Sequence, residues 1–188
     1  MVITYQGGGS FRIQSGNLSI VVDPQNDRQK PDVLLKTAAP YPAENPGQGE
    51  ITGPGEYEIA GIGIRGIQIA AESKTDLIKT IYRVLVEDIA LGFMGELWNI
   101  PDAESIQALG DIDILILPVG GKPYLKPEDA AKLVKQIEPT VVIPSHYKNP
   151  KDFFEEMGQR ATPQEKFTVK KKELVEMGES LKVICFTA

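Results

Sequence analysis

The chain has 188 residues, 41% hydrophobic and 24% charged, which fits one domain spanning residues 1–188 with enough apolar material for a proper core. A formal net charge of -6 argues against nucleic acid or an anionic membrane as partner, because phosphates need a basic face. The single cysteine, Cys185, allows no internal disulfide, which fits a reducing compartment.

The start, Met1 to Gln6, lacks the basic and long apolar segments of a signal peptide. No apolar run approaches the roughly 20 residues of a membrane span, so a soluble, cytoplasmic protein is expected. Residues 2–6 and 10–14 read as strands around Gly7-Gly8-Gly9, a tract of maximal backbone freedom. Ser15-Gly16-Asn17 signals a hairpin returning through the β-branched run 18–22, which Asp23-Pro24 ends. A short buried strand is expected at 32–35. Residues 37–50 carry Pro40, Pro42, Pro46, Gly47 and Gly49 and predict a loop over the end of a sheet. Strands follow at 56–59 and 62–69, then a hairpin of 79–86 and 89–94 across Glu87-Asp88.

The second half mixes helices with strands. Residues 102–109 predict a short helix stopped at Gly110, and the apolar run 113–119 predicts a strand buried on both faces. From Pro127 to Ile137 an apolar stripe of Ala130, Leu133, Val134 and Ile137 marks the clearest helix, with Glu128 and Asp129 at its positive end. Strands at 140–144, 167–169 and 181–187 and a helix at 150–157 complete the pattern. Lys170-Lys171-Lys172, diluted by Glu173, Glu176 and Glu179, reads as a solvated turn.

The most informative count is histidine: His146 is the only one. A zinc centre usually takes about three protein ligands, drawn largely from His, so a histidine-rich site is excluded and any metal must lean on carboxylates. His146 has two readings, a general base or leftover ligand, and a structural histidine satisfied by backbone. Ser145 beside it makes no nucleophile–base pair by adjacency, since neighbouring side chains on an extended segment face opposite ways.

Four segments in order carry a resemblance. They are Ile3-Thr4-Tyr5-Gln6-Gly7 running to Val21-Val22-Asp23-Pro24, then Gly53-Pro54-Gly55-Glu56-Tyr57-Glu58-Ile59, Leu117-Pro118-Val119-Gly120-Gly121, and Val142-Ile143-Pro144-Ser145-His146-Tyr147. Together they resemble the small stand-alone Zn-dependent hydrolases of the metallo-β-lactamase superfamily. The resemblance implies an α/β fold, a four-layer αβ/βα sandwich with the site at one edge of the sheets. It also implies metals held by a His-x-His-x-Asp-His loop, whose ligand positions fall here on Ala38, Pro40, Pro42 and Ala43. The family's Gly-His-Ser matches Gly7-Gly8-Gly9, a central histidine falls near Ala71, and His-Leu-Gly-Asp matches Phe93-Met94-Gly95-Glu96. Of the family's histidines only His146 remains.

The expected function is therefore a non-catalytic relative acting as a binding or assembly module, with a homodimer as one assembly, and with no cofactor despite the zinc of the family. One alternative is a hydrolase with a metal-free or carboxylate-rich site, His146 as base and Glu96 as acid or ligand; His146, Glu96 and Asp23 are the vestigial metal candidates. The other is a small-molecule binder using an apolar pocket near Phe93, Met94 and Trp98.

Overall fold

The computed structural model describes every residue except 27, 44, 45, 179 and 188. Two of these lie in the loop expected at 37–50, and another is the Glu179 of the lysine-rich segment. Strands β1 (Val2–Gly7), β2 (Ser10–Ser15) and β3 (Leu18–Val22) form an antiparallel meander, and β4 (Val33–Leu35) runs parallel to β3. The chain then crosses over as β5 (Ala38–Pro40) and returns as β6 (Glu50–Ile51), parallel to β4. An antiparallel ladder follows: β7 (Gly55–Ile59), β8 (Ile62–Gln68), β9 (Leu77–Val86) and β10 (Ile89–Phe93), with a 3-10 turn at Ala70–Glu72. Helices and strands then alternate as α1 (Ala103–Leu109), β11 (Ile114–Pro118), α2 (Pro127–Ile137), β12 (Val141–Ser145) and α3 (Lys151–Met157). The described chain closes with β13 (Phe167–Thr168), α4 (Lys171–Met177) and β14 (Lys182–Val183).

The strands make two sheets, ordered β13-β1-β2-β3-β4-β6 and β14-β12-β11-β10-β9-β8-β7. Period-two alternation explains their contact. In β2, Phe11 and Ile13 join the core between the sheets while Arg12 and Gln14 point away. In β11, Ile114 and Ile116 belong to the inter-sheet core, and Leu115 and Leu117 to a second core under the helices. This second core takes the stripe of α2 (Ala130, Leu133, Val134) and Phe153 of α3, so the expected two-sheet α/β sandwich is what the chain forms.

Two expectations need correction. The proline-rich segment is not all loop: Ala38–Pro40 pairs antiparallel with Leu77–Lys79 of β9. Pro40 sits at the strand's last position, where its missing donor matters least. The lysine-rich segment is not a solvated turn but the start of α4, where Glu173 accepts from the Lys170 N–H and Lys171 pairs with Asp113.

Topology gathers the ends of β3, β4, β10, β11 and β12 and the start of β9 at one end of the sandwich. Asp23, Thr37, Lys79, Glu96 and His146 all follow from that placement. No helix among the described residues is long and apolar enough to cross a membrane.

Candidate functional site

His146 leaves β12 in the left-handed region, at φ 52, a conformation that costs a non-glycine residue free energy. Two glycines make room for it. A Cβ on Gly120 would stand 2.0 Å from the His146 carbonyl oxygen, and one on Gly9 would stand 2.1 Å from Cε1 and 2.2 Å from Nε2. The Gly7-Gly8-Gly9 tract therefore serves a close approach: its last residue lies against the outer edge of the imidazole. The ring of Tyr124 covers another side, its centroid 4.6 Å away.

The left-handed turn also breaks the alternation of the strand. Ser145 Oγ lies 3.0 Å from His146 Nδ1, so the two adjacent side chains do meet, contrary to the sequence expectation. Ser145 is buried and sits behind the ring. Burial pushes the His146 imidazole down to about 4, and the positive charge of Lys79 adds to this. At neutral pH the ring is uncharged. Its neighbour Tyr5 is pushed up by burial, against the opposing pull of the Gly9, His146 and Gly8 backbone. Burial and then the charge of Glu96 push Tyr124 up, so both phenols hold their protons.

His146 opens on a cleft of about 730 Å3, within the range of small-molecule sites. Clefts of similar size beside Tyr57 and beside Phe154 contain no imidazole, so chemistry rather than volume distinguishes this one.

The other predicted residues, Glu96 and Asp23, lie at the same end. Glu96 is exposed, and its negative charge reaches Asp23 and Tyr124. Asp23 accepts from Thr37 N–H at 2.7 Å and Thr37 Oγ1 at 2.6 Å; burial raises its carboxyl to about 6 despite those bonds. Among the described residues no hydrogen bond joins any two of His146, Glu96 and Asp23. Among the described residues, Phe93 and Trp98 do not share the apolar pocket expected of them. Phe93 is in the inter-sheet core, Trp98 is exposed, and the space beside Met94 is closed to a ligand.

That closed space instead holds a group the sequence reading passed over. Lys79 is buried, pairs with buried Glu72 at 3.3 Å, donates to the Glu96 carbonyl at 2.6 Å, and stands 3.9 Å from the centre of the Trp98 ring. Glu72 in turn accepts from the Trp98 and Asn99 N–H groups at 2.7 to 3.0 Å. A lysine between Ile78 and Thr80 inside a strand gives no sequence signal of burial. Its partner lies across a turn whose pairing only the fold reveals.

The donor set does not fit the zinc of the family. Among the described residues no three His, Cys, Asp or Glu side chains come together. Cys185 is buried against Tyr147, Asp23 is committed to Thr37, and the segment of the expected ligand loop carries β5.

Comparison with known proteins agrees with this architecture. The beta-lactamase superfamily domain matches residues 2–146. A protein of Lysinibacillus sphaericus named as a metal-dependent hydrolase is 25% identical, over 78% of this chain and 85% of its own. One of Thermococcus onnurineus, with the same description, is 30% identical over 43% of this chain and 39% of its own. The crystal structure of a candidate Zn-dependent hydrolase of the metallo-beta-lactamase superfamily from Thermotoga maritima superimposes with a TM-score of 0.79 at 21% identity, covering 99% of each chain. The hydrolase names of these relatives overturn the expectation of a non-catalytic binding or assembly module. That expectation rested on the missing metal ligands alone; His146, itself buried, is among the residues that line the remaining cleft.

Proposed function

The chain belongs to the beta-lactamase superfamily, and from that membership we propose that it is a hydrolase working through side chains of the His146 cleft, with no resident cofactor. The relatives' names support the hydrolase half of this reading. The donor set supports the metal-free half. The observation that carries it is a neutral imidazole, backed at Nδ1 by Ser145 and placed on the wall of the cleft.

In this reading His146 takes a proton from water as the water oxygen adds to the substrate. Tyr124, kept protonated by burial and by the charge of Glu96, gives its proton to the leaving group. Solvent carries the proton on His146 back to Tyr124, so the cycle closes. Glu96 thus acts through Tyr124, a positioning role in place of the acid or ligand role that the sequence suggested. A base of depressed pKa is weak but always in its working form at neutral pH.

The test is turnover of activated esters, p-nitrophenyl acetate and p-nitrophenyl phosphate, by protein treated with a chelator. Turnover that survives chelation and falls about 100-fold or more in His146→Gln, with a rate that declines on acidification only near pH 4, is expected. Turnover that appears only on adding zinc, or that His146→Gln leaves intact, overturns the reading.

A further inference from the structure

We propose that the His146 cleft takes a small organic anion, an oxyanion group on a planar body, with the oxyanion held by Lys122 and Lys148 and the body against Tyr124. The inference rests on the hydrolase reading for its chemistry but on separate observations for its substrate.

The first observation is charge. The protein carries a net charge of -6, so its overall field disfavours anions. In the cleft the balance is reversed. Lys122 and Lys148 line it, both are exposed, and among the described residues neither has an ion-pair partner, whereas no Asp or Glu lines it. Glu96, whose charge reaches Tyr124, is not part of the wall.

The second observation is the direction of the remaining polar groups. The side-chain oxygen of Asn149 accepts from the Lys151 N–H, which leaves its NH2 group to donate. Tyr5 and Tyr124 keep their protons, so each also offers an O–H. A wall of ammonium, amide and phenol donors is suited to an acceptor-rich ligand. The Tyr124 ring adds area for a flat body beside it, while the Tyr5 ring is packed on Phe11 at 4.9 Å.

The third is position. The anion-holding lysines and the imidazole line one cleft, so a substrate anchored by its oxyanion presents a neighbouring bond to His146. The cleft's volume of about 730 Å3 accommodates such a molecule.

Because His146 is the only histidine, protein labelled with 15N-histidine gives one pair of ring signals that report on this cleft alone. The probes are phenylphosphonate and benzoate, neither of which can be hydrolysed, with neutral benzyl alcohol for comparison. A saturable shift with the anions, weaker by about tenfold or more in Lys122→Glu/Lys148→Glu and at high salt, is expected. The ratio of phenylphosphonate to benzoate affinity tells a phosphate from a carboxylate. Equal binding of benzyl alcohol, binding that the charge reversal leaves unchanged, or no saturable shift up to about 10 mM overturns the inference. Anion binding without turnover of any ester supports it while defeating the hydrolase reading. Turnover of neutral esters without anion binding does the reverse.

Discussion

Two lysine–carboxylate pairs, one toward either end of the sandwich, are built differently. At the end where β11 begins, Lys171 meets Asp113 at 2.9 Å with the side chains 42% and 24% exposed. At the end where β11 and β12 finish, Lys79 meets Glu72 at 3.3 Å with the side chains 5% and 1% exposed. The longer pair is the buried one. Its carboxylate also accepts from the Trp98 and Asn99 N–H groups, and its ammonium donates to the Glu96 carbonyl and lies over the Trp98 ring, so neither ion depends on its partner alone. Enclosed charge of this kind is costly to assemble and costly to break. It lies at the end that also carries His146 and its cleft.

The largest predicted effect follows from that contrast. Lys79→Met leaves buried Glu72 with its backbone donors but no counter-ion and is expected to destabilise by about 3–5 kcal/mol. Lys171→Met removes a solvated pair and is expected to cost at most about 1 kcal/mol. Urea unfolding of the two variants measures both. Equal losses would show that burial does not separate the two ends.

A second contrast appears on titration. The unfolded chain protonates a histidine near 6.5, while folded His146 stays neutral until about 4, so acidification through that window destabilises the fold. Asp23 has the opposite sign. Folded, it takes its proton near 6, and unfolded only near 3.8, so the same acidification stabilises. Each amounts to about 3 kcal/mol, and in the wild type they offset. Relative to wild type, Asp23→Asn should lose stability as pH falls from 6.5 to 4, and His146→Gln should gain it. At the other end Glu87, held low by Ser15 and the N-terminal ammonium, is exposed. Its contribution is lost as pH falls through its own titration range and is screened by salt. Denaturation midpoints at several pH values test the signs. Parallel curves for wild type, Asp23→Asn and His146→Gln would remove the offset.

Glycines divide the ends in the same way. Gly16, in the hairpin between β2 and β3, has φ +55 and open space where a Cβ would go; Gly9 has φ +96 and the imidazole there. Gly16→Ala is expected to cost about 1 kcal/mol of backbone strain. Gly9→Ala adds a collision and is expected to cost about 2–3 kcal/mol, and to move the His146 ring signals in an NMR spectrum. Ring signals left in place would show that Gly9 is spacious after all.

These contrasts also mark where the sequence stops speaking. The stripe of α2 and the paired runs of β11 and β12 are legible because burial on one face or two imposes a period on residue type. His146 is legible because it is single. The Ser145–His146 contact is not, since it depends on a φ of 52 that reverses the strand rule, and only the approach of Gly9 and Gly120 explains why that backbone is there. Lys79 and Glu72 are hidden for the same reason. Polar residues are ordinarily assigned to solvent, and the groups that satisfy this pair come from residues 96–99, set in place by the fold. Ala38–Pro40 reads as loop because proline content outweighs a strand of three residues. Its pairing with β9 is a property of β9.

The smallest effect sharpens the comparison furthest, because it pits one hydroxyl against another. Ser15 Oγ donates to Glu87 at 2.5 Å on the surface, and Ser145 Oγ meets His146 Nδ1 at 3.0 Å inside. Water replaces the first, so Ser15→Ala should cost less than about 0.5 kcal/mol. Nothing replaces the second without rearrangement, and Ser145→Ala should cost about 1 kcal/mol. The thermodynamic difference is modest, but the spectroscopic one is not. With its Nδ1 partner gone, the ring has no fixed tautomer, and the 15N signals of the lone histidine should move toward the average of the two neutral forms. Ser145→Thr keeps the hydroxyl and should restore them. If Ser145→Ala leaves the tautomer unchanged, the backbone of Gly9 and the ring of Tyr124 hold the imidazole by themselves. Ser145 would then be core filling, and the two hydroxyls would differ in burial but not in consequence.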